Sequence, residues 1–544
     1  MTDPVAAPVK VYPPLARQVV RAAAIDHGVC VRPLPLRRTD LETGKTEIRY
    51  IPCGNTLASV CPTCAERKRQ LRAVQCRQGW HLEEEPTITR ADPDENQTLW
   101  VQLRAEAQAK RDAAERDGGD LALWDDVLLA LDEELERLGA RGSLKTGDQA
   151  ERRTRSTRRR QDAPDLPRRP VSSRTVGKVY TAPDGKTFRP SLFLTLTLDS
   201  YGRVHKDGTP VDPASYDYRR AARDALHFSK LIDRFVQNLR RFVGHDVQYF
   251  AAVEPQRRLA PHVHMAVRGT ISRAELRQVA AATYHQVWWP SVDEIRYPDP
   301  SGLVWDEETG NYVDVGTGEI LPTWDQALDA LGEDEDAEPL HVVTFGRQFD
   351  AQGVMAGSAD SARCIGYLTK YLTKGVAECH EPDSERERAH VDRLTDALRY
   401  EPCAPTCANW LRYGVQPKNP KRGLTPGFCR GKAHRRAHLG YGGRRVLVSR
   451  KWSGKTLADH KQDRRDWVLA RLAEAGIPTP APDETGRYMW AFARPGDPDV
   501  KPPDHRLLLL IDERIRQQIQ IRRAQELSAT GADEGTVLSL RGAA

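Results

Sequence analysis

The chain has 544 residues and a mass of 61.1 kDa, with 29% charged and 39% hydrophobic side chains, which is too long for one core and sufficient for two to four moderate ones. Its strongest apolar run, Leu507–Ile511, is five residues long, so a membrane span is excluded and no membrane partner is expected, and Met1–Val20 lacks the apolar stretch of a secretory signal, so a cytoplasmic protein is expected. A net charge of +6, from 82 basic and 76 acidic side chains, does not by itself specify a nucleic-acid partner.

Residues 1–82 carry five of the ten cysteines and are expected to form a compact, turn-rich module. Without an export signal these are reduced thiols, and Cys61-x2-Cys64 has the spacing of a metal knuckle. With Cys30 and Cys53 from upstream loops it makes a four-thiolate set suited to structural zinc (Zn2+), with Cys76 in reserve. Residues 83–142 are expected to be a helical insert. Asp120 can cap a helix with apolar positions at Trp124, Val127, Leu128, Leu131, Leu135 and Leu138, ending at Gly139. Residues 143–175 read as a basic, proline-punctuated linker. It includes six arginines between Arg152 and Arg160, either a solvated stretch or a set of phosphate contacts.

The principal domain is expected at 176–380. Phe193–Leu198 alternates with period two, as a half-buried strand requires. Tyr216–Phe242 carries an apolar stripe at helical spacing, and strands follow at Val247–Glu254 and His262–Arg268. Ser272 and Glu275 form a capping box opening a helix with Leu276, Val279, Ala280 and Val287 inward. This β-α-β-β-α order predicts an α+β fold with a split βαβ, ferredoxin-like antiparallel sheet. The acidic segment 293–340, with five acids between Glu333 and Glu338, is expected to be a surface insertion. A cysteine-containing basic region at 381–455, suited to DNA binding, and a helical C-terminal region at 456–544 complete the chain. In the former, Cys403, Cys407, Cys429 and His434 are either a second zinc set or chance burial; Cys364 and Cys379 are expected to be ordinary small residues.

Two constellations bear on chemistry. In Pro261-His262-Val263-His264, strand alternation puts both imidazoles on one face, about 7 Å apart along the chain. Glu254, at the end of the hairpin partner strand, can complete a two-histidine, one-carboxylate metal site. The alternative is a pair of histidines on a strand edge. Downstream, Tyr367 and Tyr371, and Lys370 and Lys374, stand at i and i+4, so a regular helix over 367–374 would project both tyrosines from one face. The alternative is an aromatic stripe packed on the sheet.

In this order, Phe193–Thr197, Pro261–His264 and Tyr367–Tyr371 resemble the three motifs of HUH endonucleases. The chain is similar in particular to rolling-circle replication initiators of actinobacterial plasmids and integrative conjugative elements, and to two-tyrosine, gene A type phage initiators. Tyr216–Arg223, Gln248–Gln256 and Cys61–Glu66 also match, so the resemblance spans about residues 25–455. Leu259 departs from it, standing where many relatives have glycine. The resemblance implies an HUH (ferredoxin-like or RRM-like) nicking domain in which His262, His264 and Glu254 hold Mg2+ or Mn2+. Tyr367 and Tyr371 would be nucleophiles assisted by Lys370 and Lys374. The implied activity is nicking and rejoining of single-stranded or cruciform origin DNA through a 5′-phosphotyrosine, leaving a 3′-hydroxyl primer. As the sequence holds no P-loop motif, a host helicase and polymerase are implied partners. Rival readings are a two-tyrosine transposase, a relaxase, or a non-catalytic zinc-containing DNA-binding regulator.

Overall fold

The computed structural model describes residues 14–80, 95–117, 169–172, 190–355, 358–370, 372–374, 382–474, 487–493 and 497–541, with a few short stretches between them. The chain divides into two compact units, Thr87–Arg160 and the remainder. Of the smaller unit, the structure describes one helix, α3 (Glu95–Asp117), where Arg104, Gln108 and Asp112 form an i, i+4 hydrogen-bonded ladder. Apart from Trp124 and Leu128, the helix expected from Asp120 to Gly139 lies outside the described residues, as does the whole Arg152–Arg160 run.

The larger unit begins with α1 (Pro14–Asp26), β1 (Leu34–Asp40), β2 (Thr46–Ile51) and α2 (Pro62–Trp80). The short β3 (Tyr180–Thr181) and β4 (Thr187–Phe188) precede β5 (Pro190–Thr197), α4 (Tyr218–Val243), β6 (Tyr249–Pro255), β7 (Pro261–Arg268), α5 (Arg273–Ala281) and β8 (Tyr284–Val287). Then come the hairpin β9 (Leu303–Asp306) and β10 (Asn311–Asp314), α6 (Trp324–Glu333), β11 (His341–Thr344), β12 (Phe349–Met355), α7 (Ala359–Lys370) and α8 (Glu385–Tyr400). The chain continues with β13 (Val446–Val448), α9 (Leu457–Glu474), β14 (Tyr488–Phe492) and α10 (Pro503–Arg541). This is a mixed helix and antiparallel-sheet protein, as expected. Among the described residues no helix is long and apolar enough to cross a membrane.

The central sheet has the order β12-β5-β7-β6-β13, with every neighbouring pair antiparallel. Strands β5 and β6, joined through α4, flank β7, so the connection is a split βαβ. Strand alternation gives the sheet two different faces. On one face Leu192, Leu194, Leu196, Val263 and Met265 pack with Phe228, Leu231, Ile232 and Phe235 of α4 in the main core. Helix α4 is fixed at both ends. The Asp217 side chain accepts from the Arg220 N–H, and Gly244 at φ 72° closes the last turn. On the other face Phe250, Ala252 and Ala266 pack beneath α2 and α7 with Cys76, Trp80, Cys364, Ile365, Leu368 and Trp452. Buried Arg268 ties α2 to this face by donating to the Gly79 carbonyl at 2.8 Å.

The capping box of α5 forms as expected. Its helix stops at Ala281, however, so Val287 is buried from strand β8 rather than from the helix: Thr283 bonds Asn238 and the Val279 carbonyl, and the chain then turns to pair β8 with β11. The acidic segment packs against later sequence. Trp324 of α6 packs edge-on against Trp289 and at a tilt against Trp410, in a small core shared with Cys403, Cys407 and Cys429. The N-terminal module is likewise completed from afar. Strand β1 pairs with both β2 and β14, and Leu507 and Ile511 of α10 cover Ala24, Val29 and the cysteines.

Candidate metal centre and cysteine clusters

The second face of the sheet is apolar at one end and polar at the other. Following Phe250 and Ala252 along β6, the next residue of the same parity is Glu254; on β7, Ala266 is preceded by His264 and His262. Glu254 stands directly across from His262, His264 lies opposite Thr195, and His262 opposite Thr197. All three side chains are buried, and one ligand atom from each lies within 4.8 Å of the others. The surface-pair alternative for the histidines is therefore removed. The two imidazole Nε2 atoms are 2.7 Å apart, and the other His264 nitrogen, Nδ1, is held by the Thr195 hydroxyl at 3.0 Å. That second bond fixes the ring so that Nε2 faces inward.

Burial shapes the protonation of this group. It raises the Glu254 carboxyl to about 7, against the opposing pull of the Arg445 and Lys370 charges, and lowers His264 to about 4. The Glu254 Oε1 atom is buried, with no hydrogen-bond partner among the described residues. A buried carboxylate oxygen without a donor, beside two imidazole nitrogens close enough to compete for one proton, fits a divalent cation.

Helix α7 lies over this polar end. The Tyr367 ring sits edge-on to His264 with centroids 4.7 Å apart, and Phe193 stacks on the same imidazole at 5.8 Å. Tyr367 remains 43% exposed, so it borders the Glu254–His262–His264 group while open to a ligand. The helix ends at Lys370, four residues earlier than a continuous 367–374 segment requires. Tyr371 lies outside the described residues, and Lys374 follows in a turn. The chain leaves the helix because its next groups are used elsewhere. Leu372 returns to the second core, the Thr373 carbonyl accepts from the Ala58 N–H at 2.6 Å, and the Lys374 carbonyl accepts from Arg445. The N-terminal module is thereby fastened to the segment following Tyr367, which no local sequence pattern signals.

Cys30, Cys53, Cys61 and Cys64 converge, their sulfur atoms all within 4.8 Å of one another. The Cys61 and Cys30 sulfurs are 3.8 Å apart, and the Cys53 N–H points at the Cys30 sulfur at 3.3 Å. Cys76 is not among them; it is fully buried with Trp80 and Trp452. Its position in the middle of α2 faces the sheet rather than the loop, which rules out the reserve role. Cys364 is a small core residue, as expected, and Cys379 is outside the described residues. Cys403, Cys407, Cys429 and His434 converge equally closely. His434 Nδ1 is fixed by the Leu398 carbonyl at 3.0 Å, leaving Nε2 3.6 Å from the Cys407 sulfur. A Cβ on Gly431 would stand 2.9 Å from the Cys403 sulfur, so only glycine permits this approach. Both donor sets suit zinc.

Residues 16–513 match the family described as Replication initiator protein, pSAM2 (RepSA), and the chain belongs to that family. It is also 25% identical, over 255 residues, to a replication initiator protein from Streptomyces ambofaciens, a match covering 41% of this chain and 52% of that protein. The chain thus spans about half the length of the curated relative it matches. No solved structure matches it.

Proposed function

We propose that this replication initiator is an HUH-type endonuclease that nicks and rejoins one strand of origin DNA. The observation that carries the reading is the buried Glu254–His262–His264 group with Tyr367 against it. A divalent ion, Mg2+ or Mn2+, held by these three side chains would polarise the scissile phosphate as a Lewis acid. The Tyr367 oxygen attacks phosphorus in line, the bond to the 3′ oxygen breaks, and the phenol proton ends on that oxygen. The products are a 5′-phosphotyrosine and a free 3′-hydroxyl that a host polymerase extends after a host helicase parts the strands. Because phenolate is a better leaving group than an alkoxide, the reverse joining step stays accessible. Lys370, whose charge is felt at Glu254, stabilises negative charge developing at the phosphate, and Lys374 contributes from the following turn. Tyr371 serves as a second nucleophile for the closing cut. Both cysteine-containing sets hold structural zinc, since four protein ligands leave no open position.

The test uses a single-stranded origin oligonucleotide labelled 3′ of the cleavage site and incubated with the full chain and Mn2+. Covalent transfer of label to the protein, absent with Tyr367→Phe plus Tyr371→Phe, is the expected result. Reversible binding with no transfer under any divalent ion would instead make the chain a DNA-binding regulator.

A further inference from the structure

A cavity of about 430 Å³ lies between α2, the turn after α7 and the start of β13. Lys68, Arg69 and Arg72 line it from α2, Lys374 from the turn, and Lys432, Arg444 and Arg445 from the opposite side, with no carboxylate among the described lining residues. Arg69 is engaged by Glu66, but Arg72 donates to a neutral partner, Gln75, at 2.7 Å. Burial, and then the charge of Arg444, hold the Arg72 guanidinium below its ordinary value. Cations gathered in a half-enclosed space repel one another, and an anion relieves that repulsion.

We propose that this cavity binds the sugar–phosphate backbone of single-stranded DNA next to the nicking centre. The choice of DNA rests on the nicking reading; the choice of an anion does not. A cavity of this size admits a strand and not a duplex, and the described lining holds no Phe, Tyr or Trp and a single imidazole, His438, so its cations grip phosphate rather than read sequence. The row of positive charge leads toward the metal group, because Arg445 is felt at Glu254 and donates to the adjoining Val253 carbonyl at 3.2 Å. The two cysteine-containing sets position the walls. Helix α2 starts at the Cys61–Cys64 knuckle, and Lys432 lies between Cys429 and His434. The clusters therefore act on DNA through the cations they hold in place.

The experiment follows binding of a fluorescein-labelled single-stranded oligonucleotide lacking origin sequence to the full chain by anisotropy, without divalent ions, over a NaCl series. Arg72→Gln with Arg444→Gln should weaken binding about tenfold at low salt and reduce the logarithmic salt slope by about 0.7 to 1.4, the loss of one or two phosphate contacts. The matching lysine pair should keep the slope, separating charge from packing. A glutamine pair with wild-type affinity and slope overturns the proposal. So does specific competition by inorganic phosphate beyond its ionic-strength effect, which would make this a free-phosphate site. Cleavage is not read, so a chain that binds this way and never transfers label would refute the nicking and leave the cavity standing.

Discussion

The metal group on the sheet and the two cysteine-containing clusters are all convergent ligand sets, but they are supported in opposite ways. Glu254, His262 and His264 project from adjacent strands of a hairpin whose ladder hydrogen bonds and apolar face place them whether or not an ion is bound. The cysteines come from loops and helix ends, with small cores of their own. In the sheet, folding prepares the donor side chains; in the clusters, an ion would contribute folding energy on binding. The difference teaches that metal removal should have separable effects on activity and on stability.

The sharpest way to break the comparison is His262→Ala. Label transfer should fall at least about a thousandfold while the melting temperature changes by no more than a few degrees, measured by gel and by circular dichroism. Loss of cooperative melting in this variant would put the sheet site in the same class as the clusters. The reciprocal change, Cys61→Ser with Cys64→Ser, should lower the zinc content by one ion per chain and abolish cooperative folding of the N-terminal module, since structural zinc supplies on the order of 10 kcal/mol.

Acid also tests a buried part of the main domain that belongs to none of these ligand sets. His227 is buried beside Trp289 and His285; burial, and then neighbouring positive charge, lowers His227 to about 3 and His285 to about 4. Both titrate near 6.5 when unfolded, so the unfolded chain takes up protons first as pH falls. Their contribution is complete above about pH 6.5 and is lost as pH falls from there to about 4 for His285 and about 3 for His227, by up to about 1.4 kcal/mol per pH unit for each histidine. Denaturant midpoints across that range should show the decline, and His227→Gln should make it shallower; an unchanged slope would argue against a neutral buried His227.

The smallest effect concerns the hairpin that carries Glu254, His262 and His264. Leu259 adopts φ 64°, a left-handed conformation costing a leucine about 1 to 2 kcal/mol, yet its side chain is buried in the main core. Leu259→Ala loses packing and keeps the strain, whereas Leu259→Gly loses packing and relieves it. Glycine should therefore be the less destabilising replacement by about 1 kcal/mol, an inversion of the usual order that chemical denaturation can resolve.

What could be seen in the sequence follows the same division. Period-two alternation in Phe193–Leu198 and the same-face spacing of His262 and His264 are local consequences of strand geometry, so the sheet and its ligand pair were legible. The knuckle Cys61–Cys64 was legible too, because two ligands lie within one turn. The end of α7 at Lys370 was not, for it depends on partners at Ala58 and Arg445 that no window of sequence contains. Nor was Tyr488–Phe492 recognisable as the strand that completes the N-terminal sheet.

That last pairing has a consequence for synthesis. Leu36 waits for Phe492, 456 residues later in the chain, which at roughly 5 to 20 residues per second is about 20 to 90 seconds of translation. Throughout that interval the apolar surface later covered by Leu507 and Ile511 has no lid. Cys30 to Cys64, by contrast, are complete within 35 residues of one another and can capture an ion almost at once. On the ribosome, the thiolates would hold the first module in shape until its cover arrives.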